Sequence, residues 1–517
     1  MIIAHKPRSD ADRVTIDQLI RHNAQRTPHR MALSDSAHRG RWGGGEARRL
    51  TWSEVEIATN AMAQQLNVLG LPPDSTVALQ LGASVDAVVV ILGCLKAGLV
   101  PVMLPVTWRN AEASAAIDRV GAKAIIADCR IGGWQAAERL CEVAAENFAI
   151  RFVCSVGGMP PDGVVALDGA FSVSEAEAPP RAPRSGNAAE HVAIVTFDVG
   201  PMGPFPVARS HNEWLTAGLA ALTELRLSRD SVLLSTLALT NLPGIGAVLI
   251  PWLMAGCRLA LHSVFDRHEF SDQIVREDAS HLALPATVAA AAIADGVIDD
   301  HPTIERLLAV ARFGTSADLR MSGKAALSRL VVFGELGYVA GCEEIGMVPA
   351  GPVTAPLDVP DGVQVIETTV SQGVLAVRGG MTPQSGFPGD DRGGSRYPIG
   401  AGDWVATGYP TSLDGDLIAC AGTRRDVITL GGQSIAIAQT ESLYADAPGF
   451  LSVGVRGEAH PILGEMLVLE AMPEDAANVS AVTLAMHAEE KQASPLKQSA
   501  EARIGDRRRV GALAGAA

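Results

Sequence analysis

Residues 197–211 read FDVGPMGPFPVARSH, and the reading of this stretch decides the rest of the chain. It follows an apolar, β-rich run, His191-Val-Ala-Ile-Val-Thr196, and precedes a segment with a helical pattern. A glycine-rich turn between a strand and a helix is the setting in which backbone N–H groups and a helix N-terminus hold a phosphate. This stretch departs from that chemistry. It has no lysine, its only hydroxyl is Ser210, and prolines at 201, 204 and 206 each remove an N–H donor.

On the N-terminal side, apolar strands alternate with helices. Residues 15–25 form an amphipathic helix behind a Thr15 cap, and residues 50–69 a second helix stopped by Gly70. A strand at 75–81, a buried helix at 84–97, a strand at 99–104, a helix at 111–120 and a strand at 122–127 follow. That spacing means βαβ units and a mostly parallel sheet. Residues 175–189, EAEAPPRAPRSGNAA, read as a surface linker. A second βα series covers about 213–335, with a helix at 247–255 and strands at 231–235, 258–262 and 307–310. Helical pattern fades between about 375 and 425, and a small α/β unit closes the chain.

The chain has 517 residues, 48% of them hydrophobic and 19% charged, enough for two to four domains with a large core. A net charge of −15 argues against broad nucleic-acid binding. Seven widely spaced cysteines with no CxxC exclude a disulfide framework and a zinc site. No apolar run is long enough to span a bilayer and no secretory signal opens the chain, so the expectation is a cytoplasmic protein.

Further landmarks come in a fixed order: Leu50-Thr-Trp-Ser-Glu54, Leu95-Lys-Ala-Gly-Leu-Val-Pro-Val102, Arg209-Ser-His211, Leu284-Pro-Ala-Thr287, Ala340-Gly-Cys-Glu-Glu344, Trp404-Val-Ala-Thr-Gly408 and Gly422-Thr-Arg-Arg-Asp426 with Gly431-Gly432 beyond. Together they resemble the adenylate-forming superfamily of acyl-CoA synthetases, luciferases and peptide-synthetase adenylation domains, over about residues 14–500. The resemblance implies a two-domain α/β fold: a large AMP-binding domain with mostly parallel sheets over 1–425, and a small mobile domain over 426–517. It also implies a reaction. A carboxylic acid attacks the α-phosphate of ATP, with Mg²⁺, and a thiol of CoA or of a carrier protein's phosphopantetheine then displaces AMP.

Carried onto single positions, the resemblance assigns the phosphate turn to Gly200 and Gly203, with Val199, Pro201 and Met202 where the family has hydroxyls. Pro204-Phe-Pro206 stands for its Pro-Lys-Gly. Arg209 is the nearby charge, or else a solvated helix start. The family's Tyr-Gly-x-Thr-Glu aligns at residues 340–344, making Glu344 the Mg²⁺ ligand, against the plainer reading of a solvated acidic turn. Gly314 falls in the adenine-contact segment. The ribose motif Thr-Gly-Asp becomes Thr407-Gly408-Tyr409, and a tyrosine cannot offer a diol two charged acceptors. Asp426 is the hinge residue, and Gly431 and Gly432 approach the thiol tunnel. Asn241 and Gly244 belong to the acid pocket. No Gly-Lys follows Ser494-Pro-Leu-Lys497, which leaves Arg503 as the nearest cation to the family's catalytic lysine, and arginine is no equivalent of lysine. His211 and His281 read as structural.

Two functions follow. One is a divergent AMP-forming acyl ligase acting on a small carboxylic acid. The other is a non-catalytic relative that keeps an acyl or nucleotide pocket and serves as a binding subunit. An acyl transferase that uses a preformed thioester and needs no ATP is a third.

Overall fold

The computed structural model describes residues 14–180, 186–200, 203–315, 317–321, 323–355, 362–383, 402–460, 463–474, 480–498 and 501–504. Its frame is two parallel sheets with helices packed between them. The seven-stranded sheet runs Val165–Ala166, Phe152–Val156, Ala124–Asp128, Thr76–Gln80, Val100–Met103, Val192–Gly200 and Gly203–Ser210. Every neighbour pair in it is parallel except the last. The eight-stranded sheet has Met31–Asp35, Arg258–Leu261, Val232–Ser235, His281–Pro285, Arg306–Arg312 and Ala326–Val332 in parallel, with antiparallel strands Arg49–Thr51 and Tyr338–Cys342 at its two edges.

Between the sheets lie the helices Trp52–Val68, Val85–Lys96, His211–Leu225 and the helical run 242–255. The Val85–Lys96 helix is buried on all sides, as a helix of Val, Ile, Leu and Cys must be when it fills the space between two layers. Trp52 and Trp252 stack across this layer at 4.9 Å between ring centroids. The run 242–255 is π-helical from Ile245 to Leu249, and the hydroxyl of Tyr338 donates to the Gly246 carbonyl there and to the Ala217 carbonyl of the neighbouring helix His211–Leu225.

Two regions depart from expectation. Residues 50–51 end a strand instead of opening a helix; Thr51 then caps the Trp52–Val68 helix. Residues 197–211 are not a loop, because the strand Val192–Gly200 continues through them and returns as Gly203–Ser210.

A six-stranded antiparallel sheet over Met347–Cys420 completes the large domain. From Val427 onward a five-stranded sheet with its own apolar cluster, centred on Ile428, Tyr444, Leu467, Leu469 and Leu484, forms the small domain. No helix among the described residues is long and apolar enough to cross a membrane.

Candidate active site

The strands Val192–Gly200 and Gly203–Ser210 pair in tight register: Phe197 with Pro206, Asp198 with Phe205, Val199 with Pro204, and Gly200 with Gly203. Only Pro201 and Met202 remain for the turn, and both lie outside the described residues. A β-hairpin directs its N–H groups into its own ladder, so Gly200 and Gly203 do not open a phosphate cradle. A Cβ at Gly200 would meet the Phe205 ring at 3.4 Å, and one at Gly203 would meet the Gln439 amide of the small domain at 2.9 Å. These two glycines serve close packing.

Arg209 is fully buried. It donates to the Met381 and Glu335 carbonyl oxygens and lies over the Trp214 ring, 5.1 Å from its centroid. It is neither a phosphate ligand nor a solvated helix start: its guanidinium ties the base of the hairpin to the strand-turn 333–337. The helix start is capped instead by Ser210, which accepts from the Glu213 N–H.

Asp198 is buried at the centre of the site. It accepts from the Val199 and Glu335 N–H groups and faces Arg424 Nη1 at 3.5 Å. Arg424 also donates to the Val199 carbonyl at 3.0 Å and pairs with Asp426 at 2.7 Å. Asp426 is therefore one jaw of a clasp, Asp198–Arg424–Asp426, that joins residues 424–426 to the first hairpin.

Beside the clasp, Tyr409 is 3% exposed and meets Phe313 edge-on, 5.7 Å between centroids at 73°. Phe313 meets Phe333 edge-on in turn. Burial pushes the Tyr409 hydroxyl up from its ordinary value, against the pull of Arg312 and Arg424. Thr407 donates to the Leu375 carbonyl at 2.9 Å and is buried within its sheet, so its hydroxyl does not face a ligand. Gly314 turns at φ +89 and presses on the hinge approach: a Cβ there would lie 3.0 Å from Cys420 Sγ and 3.3 Å from the Gly422 carbonyl oxygen. Its role is close packing, not contact with a base.

Strand Ala326–Val332 is followed directly by residues 333–337, FGELG, and this turn reaches Asp198. Gly334, at φ +60, is held against Asp198, where a Cβ would lie 2.5 Å from a carboxylate oxygen. A Cβ at Gly337 would meet Ile366 at 2.6 Å. Glu344 lies beyond the next strand, exposed on the turn before Met347–Pro349. Among the described residues no three His, Cys, Asp or Glu side chains converge to hold a metal. Glu344 is not among the residues that line the cleft at Asp198.

Glu335 takes the central place. It is buried, and its carboxylate accepts from the Thr196 hydroxyl at 2.7 Å and from the Leu242 N–H at 2.9 Å. Burial pushes it up to about 7, against the nearby Arg209. Asn241 caps the helical run that begins at Leu242, accepting from the Gly244 N–H at 3.0 Å. Gly244 is required by packing, since a Cβ would overlap the Ala238 carbonyl. Glu335 and Asn241 share a cleft with Trp108, Phe197, Asp198 and Arg312, closed from the other side by Gly432, Gln433 and Ser434. About 30 Å³ remains in it, room for a water and little more.

The closing element is the small domain's hairpin, Val427–Leu430 with Gln433–Ala436. Gly431 and Gly432 turn it at φ +57 and +79, the two positive values a two-residue hairpin turn demands. Arg312 donates to the Gly432 carbonyl oxygen at 2.8 Å and to the Ser434 hydroxyl at 2.9 Å, and the Thr107 hydroxyl donates to Gln433. Nearby, buried Lys497 pairs with Glu112 at 2.9 Å and donates to Gln439 at 3.0 Å. Arg503 is elsewhere, on strand Glu501–Ile504, half-exposed and bidentate to Glu458. Of these two cations, Lys497 is the one next to the junction.

With this geometry in place the class follows. The AMP-binding enzyme family model matches residues 20–340, and the chain belongs to that family. It is 25% identical over 470 residues to a 2-hydroxy-7-methoxy-5-methyl-1-naphthoate–CoA ligase of Streptomyces carzinostaticus, covering 83% of this chain and 80% of that one. It is also 25% identical over 476 residues to a salicyl-AMP ligase / salicyl-S-ArCP synthetase of Mycobacterium tuberculosis, covering 88% and 80%. Among solved structures, an o-succinylbenzoate CoA synthetase of Bacillus subtilis bound with a product analogue superposes with a TM-score of 0.72 at 18% identity, over 95% of this chain and 94% of that one. The fold is the two-domain adenylate-forming fold.

Proposed function

We propose that this protein binds a small aryl or acyl acid, free or as its thioester, in the cleft between Asn241, Arg312 and the hairpin Val427–Ala436, and that it does not run the ATP-dependent half of the family's reaction. The observation that carries this reading is the clasp and ring cluster on the nucleotide side. Asp198, Phe313, Phe333 and Tyr409 all belong to the large domain, and Arg424 precedes the hinge. Rotation of the small domain at Asp426 leaves them where they are. A triphosphate entering there would meet the buried carboxylate of Asp198 and no lysine on the hairpin, where Phe205 stands between two prolines.

The acid class rests on the naphthoate and salicylate relatives, and on an apolar wall of Trp108 and Phe197, 5.3 Å between ring centroids. The thiol partner is CoA or the phosphopantetheine of a carrier protein, entering beside Gly431 and Gly432.

Acid-dependent exchange of labelled pyrophosphate into ATP, run across a panel of aryl and aliphatic acids, tests it. The expected result is no exchange with any acid and no calorimetric binding of ATP with Mg²⁺, while an aryl acid or its CoA thioester binds wild type and not Arg312→Ala. Exchange above background with any acid overturns it.

A second reading, a working AMP-forming acid–thiol ligase, is favoured by one observation. Gly432, Gln433 and Ser434, which fill the cleft, belong to the domain that the hinge would withdraw. Positive exchange would establish it.

A further inference from the structure

Two parts of the small domain reach the large one side by side. The turn of the hairpin Val427–Ala436 fills the cleft, and the short 3₁₀ helix Pro495–Lys497 docks on the start of helix Asn110–Val120. Glu112 is the socket. It is buried, and both of its carboxylate oxygens are engaged. Oε2 accepts from the Arg109 N–H at 3.2 Å, which caps its own helix. Oε1 accepts from the Lys497 ammonium at 2.9 Å and from the Ser494 N–H at 3.3 Å.

Lys497 is fixed from its own side as well. Its ammonium donates to Gln439 at 3.0 Å, and its carbonyl accepts at 2.8 Å from Tyr444, a residue of the small domain's apolar cluster. Thr107 ties the two docking parts together: its hydroxyl donates to Gln433 of the hairpin, and its carbonyl accepts from the Ser494 hydroxyl at 2.8 Å.

These bonds are polar, and the apolar cluster beside them is small, Val199 with Val427 and Ala436. A buried ion pair is a poor glue for a permanent interface, because apolar side chains of similar volume hold it as well or better. It suits an interface that parts. On separation a carboxylate and an ammonium regain water, whereas apolar side chains would be left exposed to it. The cleft supplies the reason to part: with Gly432, Gln433 and Ser434 in place, a ligand larger than water has no room.

We propose that Glu112 and Lys497 form a latch that holds the small domain shut over the cleft, so that this closed arrangement is an autoinhibited one. The ligand's part in this rests on the proposed function of the cleft; the latch itself is a matter of where the small domain sits.

The test compares the full-length wild type with Glu112→Gln, whose amide oxygen can still cap the helix, with Lys497→Met, and with the double variant. Small-angle scattering reports the domain arrangement, trypsin cleavage after exposed Arg425 reports opening of the segment between the domains, and calorimetry reports binding of salicylate. Each single variant is expected to scatter with a larger radius of gyration and to be cleaved about tenfold faster. Each should also bind salicylate about tenfold more tightly, because a larger fraction is open. The double variant should go no further than either single one, as partners in one contact require. Damage to the fold would weaken binding, so the tightening separates a latch from a merely structural pair. The proposal is overturned if both single variants scatter and are cleaved as wild type is, or if they open yet bind salicylate no more tightly than a binding wild type does. Faster cleavage with no salicylate bound by any of them, wild type included, would leave the latch standing and sink the reading of the cleft.

Discussion

Two β-hairpins meet at the domain junction, and they are built alike. Val192–Ser210 and Val427–Ala436 are each antiparallel, with glycines Gly200 and Gly203 pairing at the end of the first ladder and Gly431 and Gly432 between the strands of the second. Their side chains have opposite effects. The second hairpin still presents what a mobile lid needs: Gly431 and Gly432 at positive φ, and carbonyl and side-chain groups that Arg312 and Thr107 hold across the junction. The first has filled itself in, with phenylalanine, valine and proline where polar donors would stand, and with Asp198 turned inward to grip Arg424. One hairpin rests on backbone conformation and the other on side-chain chemistry, so the two can change separately.

The strongest way to break this contrast is at Glu335, which holds the first hairpin's strand to the 242–255 helix start. Glu335→Ala should cost about 3–5 kcal/mol in urea unfolding, because it leaves the Leu242 N–H and the Thr196 hydroxyl buried without their acceptor and the Arg209 guanidinium without its neighbouring carboxylate. A loss under about 1 kcal/mol would mean the site is not held together there. Glu335→Gln separates charge from shape. The folded-state value near 7 is raised from 4.5, so between those pH values the folded chain binds the extra proton. Wild-type stability should fall as pH rises through that window, by at most about 3 kcal/mol, and the Gln variant should lack this component.

Next in size is Tyr409→Asp, which restores the family's ribose acid. It buries a carboxylate against Phe313 and should cost about 2–4 kcal/mol. It should give no ATP-dependent rise in melting temperature, since the Asp198–Arg424 clasp remains. A clear rise would show that Tyr409 alone seals the site. On the second hairpin, Gly432→Val should cost about 1–2 kcal/mol, because a β-branched residue at φ +79 is strained whatever surrounds it. Smallest is Thr107→Val. Removing one cross-domain hydrogen bond should cost about 1 kcal/mol or less and show itself as faster amide exchange at residues 433–436, with the melting temperature little changed.

Much of the frame was legible because it rests on local periodicity. The apolar run at 85–96 can only be an internal helix, and the strands at 76–80, 100–103 and 124–128 sit within a residue or two of where the pattern puts them. The site was harder to read for two reasons. Glu343-Glu344 offers acid chemistry in the chain, yet the turn that touches Asp198 is 333–337; its signal was the Phe-Gly pair right after an apolar strand. Lys497 pairs with Glu112, which lies 385 positions earlier in the chain, a contact no local pattern announces. Arg209 misled for a related reason: a cation near a glycine-rich stretch reads as a ligand for phosphate, but in strand Gly203–Ser210 its side chain points into the core, where backbone carbonyls receive it.

Strand Gly203–Ser210 is also the outermost strand of its sheet. An outer strand offers unpaired N–H groups to any passing chain, and that is how folded proteins begin to associate wrongly. Pro204 and Pro206 have no N–H to offer, and the Pro204 carbonyl is already taken by Arg119 at 2.9 Å. Pro204 and Pro206 thus make the edge a poor template for a neighbouring molecule. Rebuilding the hairpin toward a serine-, threonine- and lysine-bearing sequence would then be an experiment in solubility as much as in nucleotide binding.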